Sequence, residues 1–416
     1  MINKKGPKRP FFIIKTHFMD IVKNKFSLIF FLILSFVSSQ TIAIKAAKIY
    51  TAENGRIYNN GVLLIKNGKI AAVGKNIKIP KKAKILDYSN YEIVPGFIDN
   101  HSHIGTPPEN LNEFPVVFGP QHKILDILSP DTTFWEKVYK GGVTTVVTGP
   151  GSGEVSSGQA VVIKTWGGTV EERVLKERGG VKIAMGGKRS SPKTSMGTTA
   201  LLREKFIKAK EYDIKIKEWN KNKNKKDTPR PEKDLALEAF ADVLSGKDRI
   251  RSHVHSAHDI LSILRLKDEF GFDLTLHHST EAYKVPKEIA KRNVKVVGMP
   301  LFARIGVSDS VMYTGKIMND HGILFAFHTD DPVVASKWQR GNAGMGIRYG
   351  MTERSALEAI TINPALIAKV GDRVGSLKKG KDADFVVING TWFEPRSIIE
   401  KVYINGLKAY DRGKNN

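Results

Sequence analysis

Pro95-Gly-Phe-Ile-Asp-Asn-His-Ser-His103 is the stretch on which the fold turns. A short apolar run ends in two histidines separated by one residue. Positions two apart on an extended strand share a face, so His101 and His103 point together. The pattern recurs at His253 and His255, at His277 and His278, and at His328, each after a β-like run, with Asp330 just beyond the last. Seven of the eleven histidines therefore sit at strand ends. Imidazoles and a carboxylate delivered by successive strands are how a barrel assembles a metal site at one face.

Eight strands are predicted, over 96–103, 143–148, 159–165, 181–185, 250–255, 273–278, 294–299 and 323–330. Helical stretches separate several of them, over 199–220, 235–244, 258–270 and 281–293. Alternation on this scale predicts parallel strands, and eight of them predict a closed (β/α)8 TIM barrel over 95–366. Residues 44–94 and 367–412 carry short β runs with Asn-Gly turns at Asn67-Gly68, Asn389-Gly390 and Asn405-Gly406. These two segments are expected to pair into one small β-sandwich. The Lys-, Asn- and Pro-rich stretch 218–233 reads as an exposed inserted loop. Gly149-Pro-Gly-Ser-Gly153 is glycine-rich but lacks a following Gly-Lys-Ser or Gly-Lys-Thr, so it is not a phosphate-binding P-loop.

Strand alternation sorts the candidate site residues. Arg251, His253 and His255 share one face of the fifth strand, while Ile250 and Val254 face the helices. His277 and His278 are neighbours, so alternation lets only one of them face the opening. His328 and Asp330 share a face. On the fourth strand the bulky Val181, Ile183 and Met185 suit the helix layer, which leaves Lys182 inside. A buried ammonium is costly without a partner. Lys182 is either paired with a carboxylate or carboxylated by carbon dioxide, which would make it an oxygen ligand between two metals.

Composition narrows the chemistry. The chain has 416 residues and 41% hydrophobic residues, enough for one large domain or two modest ones. It has no cysteine, which excludes disulfides, thiolate ligands and a cysteine nucleophile. The 66 basic against 42 acidic residues give a net charge of +24. The lysines are spread along the chain, with dense patches at 1–25 and 221–233, and no aromatic residue interleaves the second patch. No nucleic-acid partner is expected from a surface without stacking residues. The surplus favours solubility and peripheral contact with an anionic membrane face.

Residues 1–40 read as a signal peptide or N-terminal anchor. Lys23 and Lys25 precede a charge-free run, 26–37, too short for a bilayer span and followed by the small Ser38 and Ser39. Cleavage is expected near Ser39 or Ala43, with Met19 as the functional start and a periplasmic destination. No cysteine follows the run, so a lipoprotein anchor is excluded.

The chain resembles the amidohydrolase superfamily, in the branch related to imidazolonepropionase and the metal-dependent dipeptidases. The resemblance rests on Pro95–His103 as quoted, Gly142-Val-Thr-Thr145, Thr329-Asp330, Thr361-Ile-Asn-Pro-Ala365 and Gly375-Ser-Leu-Lys-Lys-Gly-Lys-Asp-Ala-Asp384. It implies one or two divalent metal ions, zinc first among them. It also implies that His101, His103 and Asp330 hold the first, that His253 and His278 are fifth- and sixth-strand ligands, and that Lys182 is the bridging lysine. The choice of His278 over His277 comes from the resemblance alone. Two departures stand out. Ser256 replaces the Glu that imidazolonepropionase-like members carry three residues after His253, and His277-His278-Ser279 replaces Glu-His-Gly. The implied activity is exported, metal-assisted hydrolysis of a carbon–nitrogen bond in an amide, cyclic amide or dipeptide-like small molecule. Asp330 would move the proton, and His255, or His278 if one metal binds, would stabilise the oxyanion. The alternatives are a ring-amine deaminase and a non-catalytic binding protein on the same barrel.

Overall fold

The computed structural model describes residues 41–114, 116–186, 192–223, 229–298 and 309–414. The expected signal segment 1–40, residue 299 of the seventh expected strand and residues 224–228 of the expected loop lie outside them. No helix among the described residues is long and apolar enough to cross a membrane.

The described chain is mixed α/β. It opens with β1 (Thr41–Tyr50), β2 (Ile57–Lys66), β3 (Lys69–Gly74) and β4 (Lys84–Pro95). The central strands are β5 (Phe97–Ser102), β6 (Val143–Thr148), β7 (Ser156–Gln159), β8 (Val161–Lys164), β9 (Val174–Lys176), β10 (Val181–Ala184), β11 (Ile250–Val254), β12 (Leu274–His278), β13 (Lys295–Gly298) and β14 (Phe325–Phe327). The chain closes with β15 (Phe385–Asn389), β16 (Ile398–Ile404) and β17 (Leu407–Asp411).

The two terminal segments pair through β4 and β15, which run antiparallel, and form one seven-stranded sheet in the order β17-β16-β15-β4-β1-β2-β3. The central strands form a six-stranded sheet, β14-β13-β12-β11-β10-β7, and a four-stranded sheet, β5-β6-β8-β9. From β10 to β14 every neighbouring pair is parallel, as are β5 and β6. Helices Ser195–Asn222, Leu235–Leu244 and Ala257–Phe270 pack outside, where Phe206 stacks on Phe272 at 4.8 Å and meets Phe240 at 4.7 Å.

Two expected elements differ. The third strand, 159–165, is split into β7 and β8, and both run antiparallel to their neighbours β10 and β6. The connection from Thr148 to Val161, where β8 meets β6, carries no helix, the usual crossover that brings a parallel partner alongside. The helix expected over 281–293 is a 3-10 turn, Ala282–Lys284, followed by a short helix, Pro286–Lys291. Pro286 has no N–H to continue the turn and starts a new helix instead. The inserted loop also begins later than expected, because helix Ser195–Asn222 runs into it.

The four- and six-stranded sheets bond to each other at both edges. Asp330 N donates to His101 O at 3.0 Å and His103 N to Asp331 O at 2.8 Å. On the far side Ala160 N donates to Gly180 O at 2.9 Å and Gly179 N to Ala160 O at 2.7 Å. Glycines allow the close approaches that the motifs encode. A Cβ on Gly96 would lie 2.1 Å from Thr144 Oγ1. One on Gly375, at φ +89°, would lie 2.8 Å from Thr361 O, so the two C-terminal motifs are packing partners.

A buried ion cluster joins the terminal sheet to β8. Lys164 Nζ lies 2.8 Å from Asp382 Oδ2 and 3.0 Å from Asp384 Oδ1, with all three side chains 3% exposed. Removing the cation leaves the buried Asp384 without an ion-pair partner among the described residues, while Asp382 keeps Lys69 and Arg373. Lys164→Met should cost about 3–5 kcal/mol, read as a lower denaturant midpoint. An unchanged midpoint would show that this cluster does not hold the sheets together.

Candidate metal centre

The histidines and Asp330 converge where the parallel strands end. Asp330 Oδ1 is 3.3 Å from Nε2 of both His101 and His103. Asp330 Oδ2 is 3.9 Å from His278 Nδ1. Lys182 reaches in from β10, its Nζ 3.3 Å from His101 Nε2. Among the described residues no carboxylate lies within ion-pair distance of Lys182. His253 packs against His255 at 4.7 Å and His278 at 4.4 Å between ring centroids. Three groups offer ligand atoms that all lie within 4.8 Å of one another: His101, His103 and Asp330; His253, His255 and His278; and His278, His328 and Asp330. Every residue singled out from the sequence as a ligand or catalytic group thus falls in one cluster.

Supporting contacts fix how the rings are turned. His103 Nδ1 donates to Gly149 O at 2.6 Å, which leaves Nε2 for Asp330 or a cation. His253 Nδ1 bonds Ser152 Oγ at 2.9 Å. The turn Gly149–Gly153, which binds no phosphate, thus orients two candidate ligands. His255 Nδ1 bonds Thr280 Oγ1 at 2.8 Å. His101 Nδ1 is 2.9 Å from His277 Nδ1. For His101 Nε2 to hold a cation, its proton sits on Nδ1 and is donated to His277.

The expectation that only one of His277 and His278 could face inward fails. His278 adopts φ 64° and Ser279 φ 50°, so the strand leaves the extended conformation at this residue. Alternation holds only for extended backbone. Both rings consequently reach His101, each at 4.8 Å between centroids. Asp330 is likewise left-handed, at φ 58°. Such backbone costs on the order of 1–3 kcal/mol per residue and gathers at functional sites.

Asp99 is the residue that ties the site together. Its carboxylate is fully buried and accepts from His101 N at 3.3 Å, Thr329 N at 3.2 Å, Ser336 Oγ at 3.0 Å and Thr329 Oγ1. It thereby joins β5 to the turn that carries Asp330. Beneath the site Arg251 NH2 donates to Asn100 O at 2.6 Å. Ser256 does not enter the pocket chemistry: it caps helix Ala257–Phe270, accepting from Asp259 N at 3.3 Å.

Burial sets the protonation states. It drives His101, His253, His277 and His278 well below the usual imidazole value, with the Lys182 charge adding at His101 and His253. It takes His328 down to about 4. The rings are therefore neutral and able to bind metal. Burial also pulls Lys182 down to about 7 and Arg251 to about 9. Burial alone would raise the Asp330 carboxyl, but the hydrogen bond with His103 and the facing imidazoles hold it well below the ordinary carboxylate range. Burial pushes Asp99 up to about 7, against its four hydrogen bonds.

The residues fit a divalent cation. His278 Nε2 and the nitrogens of His328 are buried without a hydrogen bond of ordinary geometry. Buried polar atoms are normally satisfied, so this many stranded nitrogens in one place calls for a ligand. Nitrogen and oxygen donors without sulfur suit zinc and its divalent neighbours. Four contributors escaped the sequence reasoning: His277, set aside on the resemblance; His328, placed on the Asp330 face without a role; Asp99, which shares the parity of His101 and His103; and Ser152. Asp99→Ala should strand two backbone donors at about 1–3 kcal/mol each. It should also weaken zinc uptake by the demetallated protein, measured by titration calorimetry. Unaltered stability and uptake would remove Asp99 from this supporting role.

Comparison with known proteins points the same way. Residues 93–408 match the Amidohydrolase family. The crystal structure of an amidohydrolase from Thermotoga maritima is 37% identical, with a TM-score of 0.82, covering 89% of this chain and all of that one. The amidohydrolase tasK of Hapsidospora irregularis is 26% identical over 399 residues, covering 84% of this chain and 40% of that protein. An adenine deaminase of Clostridium perfringens is 25% identical over 399 residues, covering 90% and 59%. The chain thus spans about two to three fifths of the length of these two curated relatives.

Proposed function

Because the chain belongs to the amidohydrolase family, we propose that it is a metal-dependent hydrolase that cleaves a carbon–nitrogen bond in an amide, cyclic amide or dipeptide-like small molecule. The observation that carries this is the approach of Asp330 Oδ1 to both His101 Nε2 and His103 Nε2 at 3.3 Å, among neutral imidazoles. The architecture that supports it is a central pair of sheets joined at the edges described, with a run of parallel strands from β10 to β14 and one seven-stranded sheet built from the terminal segments.

His101, His103 and Asp330 would hold one cation, and His253 and His278 a second. Lys182, carboxylated by carbon dioxide, would bridge them. The absence of a partner carboxylate at Lys182 among the described residues favours this over a simple ion pair. A divalent cation bound there, zinc first among them, supplies Lewis acidity that acidifies water and polarises a carbonyl. Asp330 accepts the proton of the attacking water and passes it to the leaving amine. His255 donates toward the developing oxyanion, its ring held by Thr280. The charge-free run after Lys23 and Lys25 supports export, which would place the substrate outside the cytoplasm.

Deamination of a ring amine is the second reading, favoured by the likeness to adenine deaminase. The position of the missing acid, Ser256, is spent on a helix cap, which weighs toward amides. A hydrolysis screen of the zinc-loaded protein against N-acyl amino acids, dipeptides, lactams and adenine tests both. Amine release from an amide supports the first reading, ammonia from adenine the second, and no turnover of any class counts against both.

Asp330→Asn should lower turnover by roughly 10²–10⁴-fold with the thermal melt nearly unchanged. Retained turnover would take the proton-transfer role from Asp330. Lys182→Ala should lose activity and one of two bound cations, and a short carboxylic acid should restore part of both. Unchanged metal content would count against the bridge.

A further inference from the structure

Three ligand groups occur in this site, and the third is not used by the arrangement above. His278, His328 and Asp330 offer atoms within 4.8 Å of one another. His328 is 0% exposed. Its backbone is fully engaged: N donates to Gly298 O at 3.1 Å, and O accepts from Asn342 Nδ2 at 3.0 Å. Its ring is the opposite case: neither nitrogen makes a hydrogen bond of ordinary geometry, and the His101 backbone alone stands close enough to favour a ring proton. A neutral imidazole carries one donor and one acceptor, so the acceptor nitrogen is left buried and unmet. A packing role would be served more cheaply by an apolar side chain. The ring lies 4.9 Å from that of His278 and 5.0 Å from that of His101, on the side where Asp330 stands.

We propose that His328 is itself a cation ligand, and that His278, His328 and Asp330 form a central site for the first divalent ion the chain takes up. This rests on the metal-dependent reading of the cluster. The central triad takes Asp330 from the pair His101–His103 and His278 from the pair His253–His255. One ion in the centre therefore excludes two ions at the outer groups, and the chain has alternative one-ion and two-ion states. The central state needs no carboxylated Lys182, so it forms without carbon dioxide.

The test is zinc titration of the demetallated full chain in carbon dioxide-free buffer. Wild type should bind one equivalent tightly. His328→Gln, with a wild-type far-UV spectrum, should weaken that equivalent by about 10–100-fold or more, the loss seen when even an indirect partner of a site is removed. Equal affinity in a folded His328→Gln overturns the proposal. Should the variant misfold, the wild-type chain still decides it. The anomalous difference map of a zinc-loaded crystal prepared in the same buffer should place the ion about 2.0–2.1 Å from a His328 nitrogen. An ion seated on the outer groups and out of bonding reach of His328 overturns the proposal while sparing the hydrolase reading. A wild-type chain that takes up no zinc sinks both.

Discussion

One buried carboxylate governs the geometry of this molecule. Asp99 gathers donors from its own strand, through His101 N, and from the far end of the central domain, through Thr329 and Ser336. Those partners are 230 and 237 residues away along the chain. The backbone bonds between His101 and Asp330 and between His103 and Asp331 lie directly beside it. Without this junction the first pair of imidazoles and Asp330 would belong to separate edges of separate sheets. A buried carboxylate is worth its desolvation only when its lone pairs are met, and here hydroxyls and amides meet them.

The site above that junction is layered. The outermost groups, His103 and His253, are oriented by the Gly149–Gly153 turn. Below them His101, His278 and Lys182 meet at the level of Asp330. Deeper still, His277 and His328 are closed off from solvent. The inner layer is electrostatically odd, since Lys182 and Arg251 are both buried close to it. Neutral imidazoles tolerate those cations, and a single carboxylate, Asp330, concentrates the negative charge at the rim. That polarity draws a divalent ion toward Asp330, and it leaves a proton acceptor where the ion's ligands converge.

Much of this was legible in the sequence because strands of period two speak plainly. Lys182 could be placed inside from the bulky Val181, Ile183 and Met185 around it, and it lies there. His101, His103, His253 and Asp330 followed from position on their strands. What escaped depended on backbone that leaves the strand conformation or on contacts between distant segments. The left-handed turn at His278 brings a second histidine inward, and alternation had no means of showing it. The third strand was mistaken because seven apolar and polar residues in a row hide a switch of sheet at Ala160, with both halves antiparallel to their neighbours. The partners of Asp99 lie too far along the chain for any local pattern to suggest them. The Gly149–Gly153 turn was noticed, but only a fold shows that its carbonyl and its serine face two imidazoles.

The central claim is that side chains from the first and the last of the central strands share one cation. Elemental analysis of the chain purified without chelators, beside a His101→Asn/Asp330→Asn double variant that retains its secondary structure, tests it most directly. The account predicts one to two divalent ions per wild-type chain and a clear loss in the double variant. Equal metal content in the two proteins, or a wild-type chain that neither carries nor takes up a divalent ion, would contradict it.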